Sequence, residues 1–156
     1  KGRGNRIKLI AEDGEVELID ESYNASPVSM KAALELLGQA KIKNNGRRIA
    51  VLGDMLELGE QSLSFHQNLN NHIKDAGIDM VFSSGRLMKS LYKVLPDNIH
   101  KVWSSKSSEL TDPLISELRS GDVVMVKGSF GSEMSKVVKG LKKFYETNSS
   151  LNRSLN

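Results

Sequence analysis

The segment DESYNASPVSM, residues 20–30, joins two different apolar patterns. Before it, Val16 and Leu18 belong to an alternating run, which predicts a β-strand. After it, apolar residues recur at helical spacing from Met30 to Leu37, which predicts a helix. The segment therefore gathers two acids, an aromatic hydroxyl and an amide in one strand-to-helix turn. Such a turn lies at the carboxyl end of its strand, the edge at which open α/β sheets bind ligands.

The strand-to-helix succession recurs along the chain and predicts the fold class. The predicted strands, beyond a first hairpin at 7–11 and 15–20 around Asp13-Gly14, lie at 49–52, 80–82, 101–103 and 122–126. The first predicted helix starts near Pro27 and ends near Gly38. The other predicted helices lie at 61–76, 87–94 and 110–118 and from Ser132 to Tyr145. Strands alternating with helices need crossover connections. We therefore expect an α/β fold, a Rossmann-like, mostly parallel sheet flanked by helices, with the N-terminal β-hairpin adding an antiparallel edge strand.

The composition of the chain argues against several classes of function. The net charge of +3 is small and no basic run is interleaved with aromatic residues, so we expect no nucleic-acid partner. The absence of cysteine excludes disulfides and fits a cytosolic protein. No apolar stretch approaches the length of a membrane helix, so we expect no membrane insertion. His66, His72 and His100 do not share a metal-ligand spacing, and we expect no metal site.

The two ends of the chain differ in character from its middle. The opening stretch KGRG at 1–4 reads as a linker entering the first strand, and the closing residues are too polar to pack. We therefore predict a domain at 1–146 that is a fragment of a larger protein, followed by a disordered tail at 147–156.

Two later strands also end in polar, glycine-bearing turns, GDMLELG at 53–59 and KGSFGS at 127–132. In the first of these, Asp54 and Glu57 either orient a cation or an amine, or belong to a capped loop without chemistry. Downstream, His66 lies on an apolar helical stripe, which favours a hydrogen-bonded core residue.

The last turn predicts an anion site, because Lys127 and Ser129 flank Gly128 just before a predicted helix N-terminus. The chain contains no Walker A motif, so a phosphate cradle for ATP would lie elsewhere.

The acids of the first turn have a structural alternative to a role in ligand binding, because Asp and Asn residues also cap helices and form turns.

Read in order, three motifs resemble the C-terminal domain of the MurF-type peptide ligases of the Mur ligase family. They are DESYNASP-x-SM, then VLGDM-x-ELG with His66 following, then VMVKGS, and the resemblance runs from about Lys1 to Lys143. Two positions depart from the family pattern. Ser26 stands where the family usually has a second Asn, and Phe130 stands where many members have an Arg.

The resemblance implies a domain of a three-domain bacterial cytoplasmic enzyme of peptidoglycan synthesis. The implied reaction adds D-Ala-D-Ala to UDP-MurNAc-tripeptide with ATP, through an acyl phosphate. The implied partners of this domain are its own N-terminal and central domains, and Mg²⁺ would be held mainly by the central one. The fragment alone would carry no catalytic residue and would be inactive.

The resemblance also implies site residues. Arg3 would reach the ATP phosphates, while Asp20 and Glu21 supply an acidic pair of which Glu21 is favoured to hold the ribose hydroxyls. Tyr23 and Asn24 would line the nucleotide. The residues Lys127, Gly128 and Ser129 would help to hold D-Ala-D-Ala, and the roles of Asp54, Glu57 and His66 stay open.

Two alternatives remain at this point. One is the C-terminal domain of another Mur or folylpolyglutamate-type ligase. The other is a non-catalytic, receiver-like α/β binding module, which would need a phosphoacceptor near the position of Asp54.

Overall fold

The computed structural model describes the backbone of residues 4–155 and the side chains of residues 4–151. Its strands are β1 (Asn5–Ala11), β2 (Gly14–Glu21), β3 (Arg48–Gly53), β4 (Met80–Ser84), β5 (His100–Ser104) and β6 (Val123–Lys127). Its α-helices are α1 (Pro27–Gly38), α2 (Ser62–Asp75), α3 (Met88–Val94), α4 (Thr111–Glu117) and α5 (Ser135–Leu155).

The six strands form one sheet in the order β1-β2-β6-β3-β4-β5. Strands β1 and β2 pair antiparallel, and every other pair is parallel. This confirms the predicted fold class, including the antiparallel strand at one edge. In the hairpin, Ala11 lies opposite Gly14, so the tight turn is Glu12-Asp13, one residue earlier than the sequence predicts.

Helices cover both faces of the sheet, and the side-chain alternation of β3 shows how. Ala50 and Leu52 point into the core under α1, α2 and α3, whereas Ile49 and Val51 point into the core under α4 and α5. All four side chains are fully buried. A strand buried on both faces has a continuous apolar sequence, which is the pattern found here.

Helix α1 begins as its sequence predicts. Ser26 is the N-cap: its hydroxyl accepts a hydrogen bond from the Ser29 amide at 3.1 Å, and the Ser29 hydroxyl accepts one from the Ser26 amide at 2.9 Å. Pro27 follows as the first helical residue, where a missing N–H costs nothing. Gly38, predicted as the cap at the other end, is the last helical residue. A Cβ there would lie 2.7 Å from the Ala76 carbonyl oxygen, so this glycine permits close packing of two helix ends.

The start of the last helix was predicted wrongly. Residues 130–132 form a short 3₁₀ turn, and α5 begins at Ser135. Ser132 is not its N-cap, because the Ser132 hydroxyl donates to the Ser129 carbonyl at 2.6 Å. The predicted break near Pro113 is also shifted: a 3₁₀ turn at 107–110 ends first, and Pro113 lies in the first turn of α4.

Helix α5 continues to Leu155, through most of the segment predicted to be a disordered tail from residue 147. After Gly140 the chain contains no Gly or Pro, so nothing in its backbone chemistry ends the helix at the last buried residue, Tyr145. The polar composition of this segment therefore does not mark the end of the helix. Among residues 4–155, no helix combines the length and apolar character that crossing a membrane requires.

Candidate functional site at the carboxyl edge of the sheet

The three polar turns meet because their strands are neighbours. In the strand order β2-β6-β3, all three strands are parallel and end at the same edge. Ser129 joins the turns: its amide donates to the Asp54 carbonyl at 3.0 Å, and its hydroxyl accepts from the Leu56 amide at 2.9 Å. The same hydroxyl lies 3.4 Å from the Ala25 carbonyl oxygen. Ser129 therefore connects all three turns at this edge of the sheet through its backbone and side-chain contacts.

The chain leaves this edge in opposite directions. After β2 and β3 it runs to α1 and α2 on one face, whereas after β6 it runs to α5 on the other. The end of β6 is therefore a topological switch point on both of its sides. Crevices at such points are the usual ligand sites of open α/β sheets.

The two acidic residues at the end of β2, Asp20 and Glu21, make different contacts. Asp20 is buried, and its Oδ1 accepts hydrogen bonds from the Ser22 amide at 3.0 Å and the Ser22 hydroxyl at 2.6 Å. Glu21 retains 17% exposure of its side chain, and its Oε1 lies 3.8 Å from Lys127 Nζ. Asp20 therefore shapes the turn, while the Glu21 carboxylate stays partly exposed at the end of β2.

Lys127 is buried, with only 4% of its surface exposed. Its Nζ donates to the Asn24 carbonyl at 2.8 Å, beside Glu21. No α-helix starts directly after it, since a 3₁₀ turn intervenes before α5. The anion site predicted from Lys127 and a helix N-terminus is therefore not formed in that way, and Lys127 instead links the end of β6 to the turn after β2.

Gly128 and Gly53 bring the backbones of two turns together. A Cβ on Gly128 would lie 3.0 Å from the Gly53 Cα and 2.7 Å from Met134 Cγ. Side chains at these two positions would collide with backbone and core. The glycines at both strand ends are therefore explained by close approach, whatever ligand the edge binds.

Two exposed aromatic rings lie on the turns at this edge of the sheet. Tyr23 is 39% exposed and Phe130 is 71% exposed. Their ring centroids are 5.9 Å apart and their planes differ by 22°, which is a stacked arrangement. The neighbouring Asn24 side chain is also exposed. Arg3, the remaining residue assigned to the nucleotide by resemblance, lies outside the described residues.

In the turn after β3, Asp54 has a structural task. Its Oδ1 accepts from the Met88 amide at 2.8 Å and its Oδ2 from the Leu87 amide at 3.2 Å, so it caps the start of α3. This carboxylate is buried and engaged, unlike the accessible phosphoacceptor of a receiver-like module. Glu57 is exposed, with a left-handed φ of 63° at the bend of the turn.

His66 is fully buried and bridges the same turn to α2. Its Nε2 accepts a hydrogen bond from the Met55 amide at 3.0 Å, and its Nδ1 lies 2.6 Å from the Ser62 carbonyl oxygen. Since Nε2 accepts, the proton must be on Nδ1, which donates to Ser62. His66 is the hydrogen-bonded core residue that its position on an apolar stripe indicates. Among the described residues, no group of His, Asp and Glu side chains is placed to hold a metal ion.

A second pocket at the same edge was not found from the sequence. It has a volume of about 320 Å³ and lies at the ends of β4 and β5, next to the 3₁₀ turn after β6. Its cations are Arg86, Lys106 and Lys136, of which Lys136 pairs with Glu133 at 2.7 Å. That ion pair lowers the pKa of the Glu133 carboxyl. The only sequence signal was one basic residue soon after each of two strands, too little to mark a motif.

A six-stranded, mostly parallel sheet covered by helices on both faces defines a domain of the Rossmann-like class, and its polar strand ends meet at a switch point where such domains usually bind ligands. Comparison with known proteins identifies the family of this domain. Residues 5–130 match the family described as "Mur ligase, glutamate ligase domain". The chain belongs to this family, which confirms the resemblance carried by the three motifs.

Individual relatives agree with this assignment. The chain is 36% identical over 138 residues to the UDP-N-acetylmuramoyl-tripeptide–D-alanyl-D-alanine ligase of Rickettsia prowazekii, covering 88% of this chain and 29% of that protein. It is 36% identical over 144 residues to the Bacillus subtilis ligase of the same name, covering 90% and 31%. The chain thus spans about 30% of the length of these relatives.

Solved structures give the same result. The chain is similar to the MurF ligase from Thermotoga maritima in complex with ADP, with a TM-score of 0.75 and 27% identity, covering 94% of this chain and 32% of that one. Similarity to MurF from Acinetobacter baumannii has a TM-score of 0.73 and 26% identity, covering 92% and 30%.

Proposed function

We propose that the chain is the C-terminal domain of an ATP-dependent amide ligase that joins D-Ala-D-Ala to UDP-MurNAc-tripeptide. The reaction would pass through an acyl phosphate and serve peptidoglycan synthesis in the bacterial cytoplasm. The observation that carries the proposal is that the three family motifs lie side by side at one switch point. Because the chain spans about 30% of its relatives, the reaction belongs to the whole enzyme, and this domain supplies part of the site.

The residues at the end of β2 fit the ribose of a nucleotide. Glu21 keeps a partly exposed carboxylate at the end of β2, and an acidic residue at such a strand end can accept hydrogen bonds from ribose hydroxyls. Asp20 is already used by Ser22, so Glu21 is the residue of the pair that we assign to ribose. Tyr23 and Asn24 are exposed beside it and would line the nucleotide, and we keep the assignment of Arg3 to the phosphates.

When bound, ATP supplies the phosphoryl group that activates the tripeptide carboxylate. The described residues offer no group suited to Mg²⁺. We therefore assign Mg²⁺ mainly to the central domain, together with the phosphate loop that this sequence does not contain. The contribution of this domain is to position the nucleotide and to line the acceptor site when the domains come together.

The acceptor has two candidate positions. The resemblance assigns it to Lys127, Gly128 and Ser129, but the ammonium group of Lys127 is buried against the Asn24 carbonyl. The pocket at the ends of β4 and β5 instead presents the exposed guanidinium of Arg86. A guanidinium can bind a carboxylate through two parallel hydrogen bonds. We propose that Arg86 receives the dipeptide carboxylate, and that the turn at 127–129 forms the neighbouring wall.

The test uses the full-length enzyme with ATP, Mg²⁺ and UDP-MurNAc-tripeptide. Phosphate release should depend on D-Ala-D-Ala, and D-Glu, L-Ala or a diamino acid in its place should give background rates. The chain alone, from Lys1 to Asn156, should release no phosphate. Turnover with one of the other acceptors would reassign the enzyme to another Mur ligase, and turnover by the chain alone would refute the domain assignment.

The acceptor position is tested separately. Arg86→Ala should raise the KM for D-Ala-D-Ala while leaving the KM for ATP within a few-fold, because the lost contact belongs to one substrate. Arg6→Ala removes an exposed arginine that pairs with Glu17 on the hairpin and serves as the matched control. An unchanged KM for D-Ala-D-Ala in Arg86→Ala would return the acceptor to the 127–129 turn.

A further inference from the structure

Phe130 is a large apolar side chain that the described domain does not bury. It is 71% exposed, although it follows a buried strand and a hydrogen-bonded turn. Its one aromatic neighbour among the described residues is Tyr23, itself 39% exposed. Phe144, another exposed aromatic residue, lies on α5 and packs edge-on against Tyr145. The pair of Tyr23 and Phe130 is therefore stacked, unlike the edge-on pair of Phe144 and Tyr145.

Both rings stand on turns that are held firmly. Tyr23 follows Ser22, whose amide and hydroxyl both bind Asp20. Phe130 follows Ser129, which hydrogen-bonds to the turn after β3, and the Ser129 carbonyl accepts from the Ser132 amide at 2.9 Å. The rings thus occupy positions fixed by two separate loops, and an exposed fraction of 71% leaves much of the Phe130 ring uncovered.

We propose that Phe130 is a nucleotide-site residue: together with Tyr23 it forms a platform on which the purine base stacks. This inference rests on the proposed function. Glu21, the residue assigned to ribose, is two positions before Tyr23, so a base attached to that ribose is within reach of the ring pair. Aromatic rings bind bases through their π-faces without hydrogen-bond readout. At this position many family members have an arginine, and the present chain has an apolar ring instead.

The test uses the full-length enzyme and the variants Phe130→Ala, Phe130→Leu and Phe130→Tyr. Stacking of one base on an aromatic ring corresponds to about 5- to 150-fold in affinity. The Kd for ADP and the KM for ATP should rise within this range in Phe130→Ala and Phe130→Leu, and Phe130→Tyr should retain most of the affinity. The KM for D-Ala-D-Ala should stay within a few-fold. Phe144→Ala, on the outer side of α5, is the matched control.

A ligand without a base separates stacking from other effects. Wild-type enzyme should bind ADP more tightly than ribose 5-diphosphate, and Phe130→Ala should lose most of that difference while binding ribose 5-diphosphate as wild type does. The inference is overturned if Phe130→Ala binds ADP as wild type does, or if it loses the same factor for both ligands. Failure of wild-type enzyme to consume ATP with D-Ala-D-Ala would instead count against the proposed function.

Discussion

The Lys127 ammonium group lies 3.8 Å from a carboxylate oxygen of Glu21 and donates a hydrogen bond to the carbonyl of Asn24. Glu21 and Lys127 are register partners at the ends of β2 and β6. Their side chains are 17% and 5% exposed, so water screens this pair less than a surface ion pair. The turn after β2, which we propose binds the nucleotide, and the last motif of the family are therefore physically linked.

This link changes what mutation of the two residues should do. From sequence, the two turns could serve two ligands independently. In the full-length enzyme, Glu21→Ala should cost about 10- to 150-fold in apparent ATP affinity, since it removes a charge-assisted hydrogen bond of roughly 1.5–3 kcal/mol. Lys127→Ala should also raise the KM for ATP, because it frees the turn at Asn24 and leaves Glu21 without its counter-charge.

Steady-state kinetics on both single variants and the double variant measures the coupling. We expect the double variant to lose less than the product of the two single losses, as residues in contact do. Lys139→Ala, an exposed lysine of α5, should be close to wild type. Additive losses, with Lys127→Ala affecting only D-Ala-D-Ala, would restore the independent roles.

Replacing His66 tests whether it is structural. His66→Leu keeps an apolar side chain but leaves the Met55 N–H without an acceptor in a buried position. An unsatisfied buried group of this kind costs about 1–3 kcal/mol. Urea unfolding of the chain should show this loss of stability, whereas His72→Leu, on the same helix but half-buried, should stay within about 0.5 kcal/mol. Equal stability of the two variants would contradict the bridging role.

Two glycines of one loop should respond differently to alanine. A methyl group on Gly128 meets the Gly53 backbone and Met134, neither of which can move freely, so Gly128→Ala should cost about 1–3 kcal/mol by overpacking. On Gly131 a methyl group meets only the end of the Leu56 side chain, at 2.9 Å, and that side chain is 39% exposed. Gly131→Ala should therefore be nearly neutral in thermal and urea unfolding. A reversed order would mean that the turns approach less closely than described.

Stability should fall at high pH through Tyr145. Burial, with further contributions from Asp122 and Asp13, raises the pKa of its phenol above the ordinary value of 10.0. The folded state then holds the phenol proton more tightly than the unfolded state. The contribution of Tyr145 is complete below pH 10 and is lost as the pH rises through the folded-state pKa. Urea midpoints measured from pH 8 upwards should fall more steeply for wild type than for Tyr145→Phe, and parallel curves would refute this.

The fold was predictable because each element has a local signature. The uninterrupted run at 49–52 and the helix start at Pro27 depend on neighbours in sequence, and the structure retains both. The position of β6 between β2 and β3 has no such signature, because it depends on contacts between strands about one hundred residues apart. The closeness of the three turns followed from the strand-end rule, but their order did not.

The same distinction holds at the site. Asp20 and Glu21 are adjacent and chemically alike, and only the family resemblance favoured Glu21 for the ribose; the hydrogen bonds of Asp20 to Ser22 could not be read from the sequence. Lys127 was predicted to bind an anion because it precedes Gly128, Ser129 and a predicted helix N-terminus, whereas in the structure its ammonium group is buried against the Asn24 carbonyl. Arg86 was missed since the pocket to which it belongs combines single polar residues from several loops.

Because β1 runs antiparallel to β2, Asn5 lies opposite Asp20, at the same rim as the crevice. If the preceding domain of the proposed enzyme is joined before Gly4, its point of attachment is therefore beside Glu21 and not at the far side of the domain. For a body that turns about a joint, points next to the joint move least. Rotation of this domain about that joint would thus move the far end of α5 over a long distance, whereas Glu21, which we propose binds the ribose, would move little.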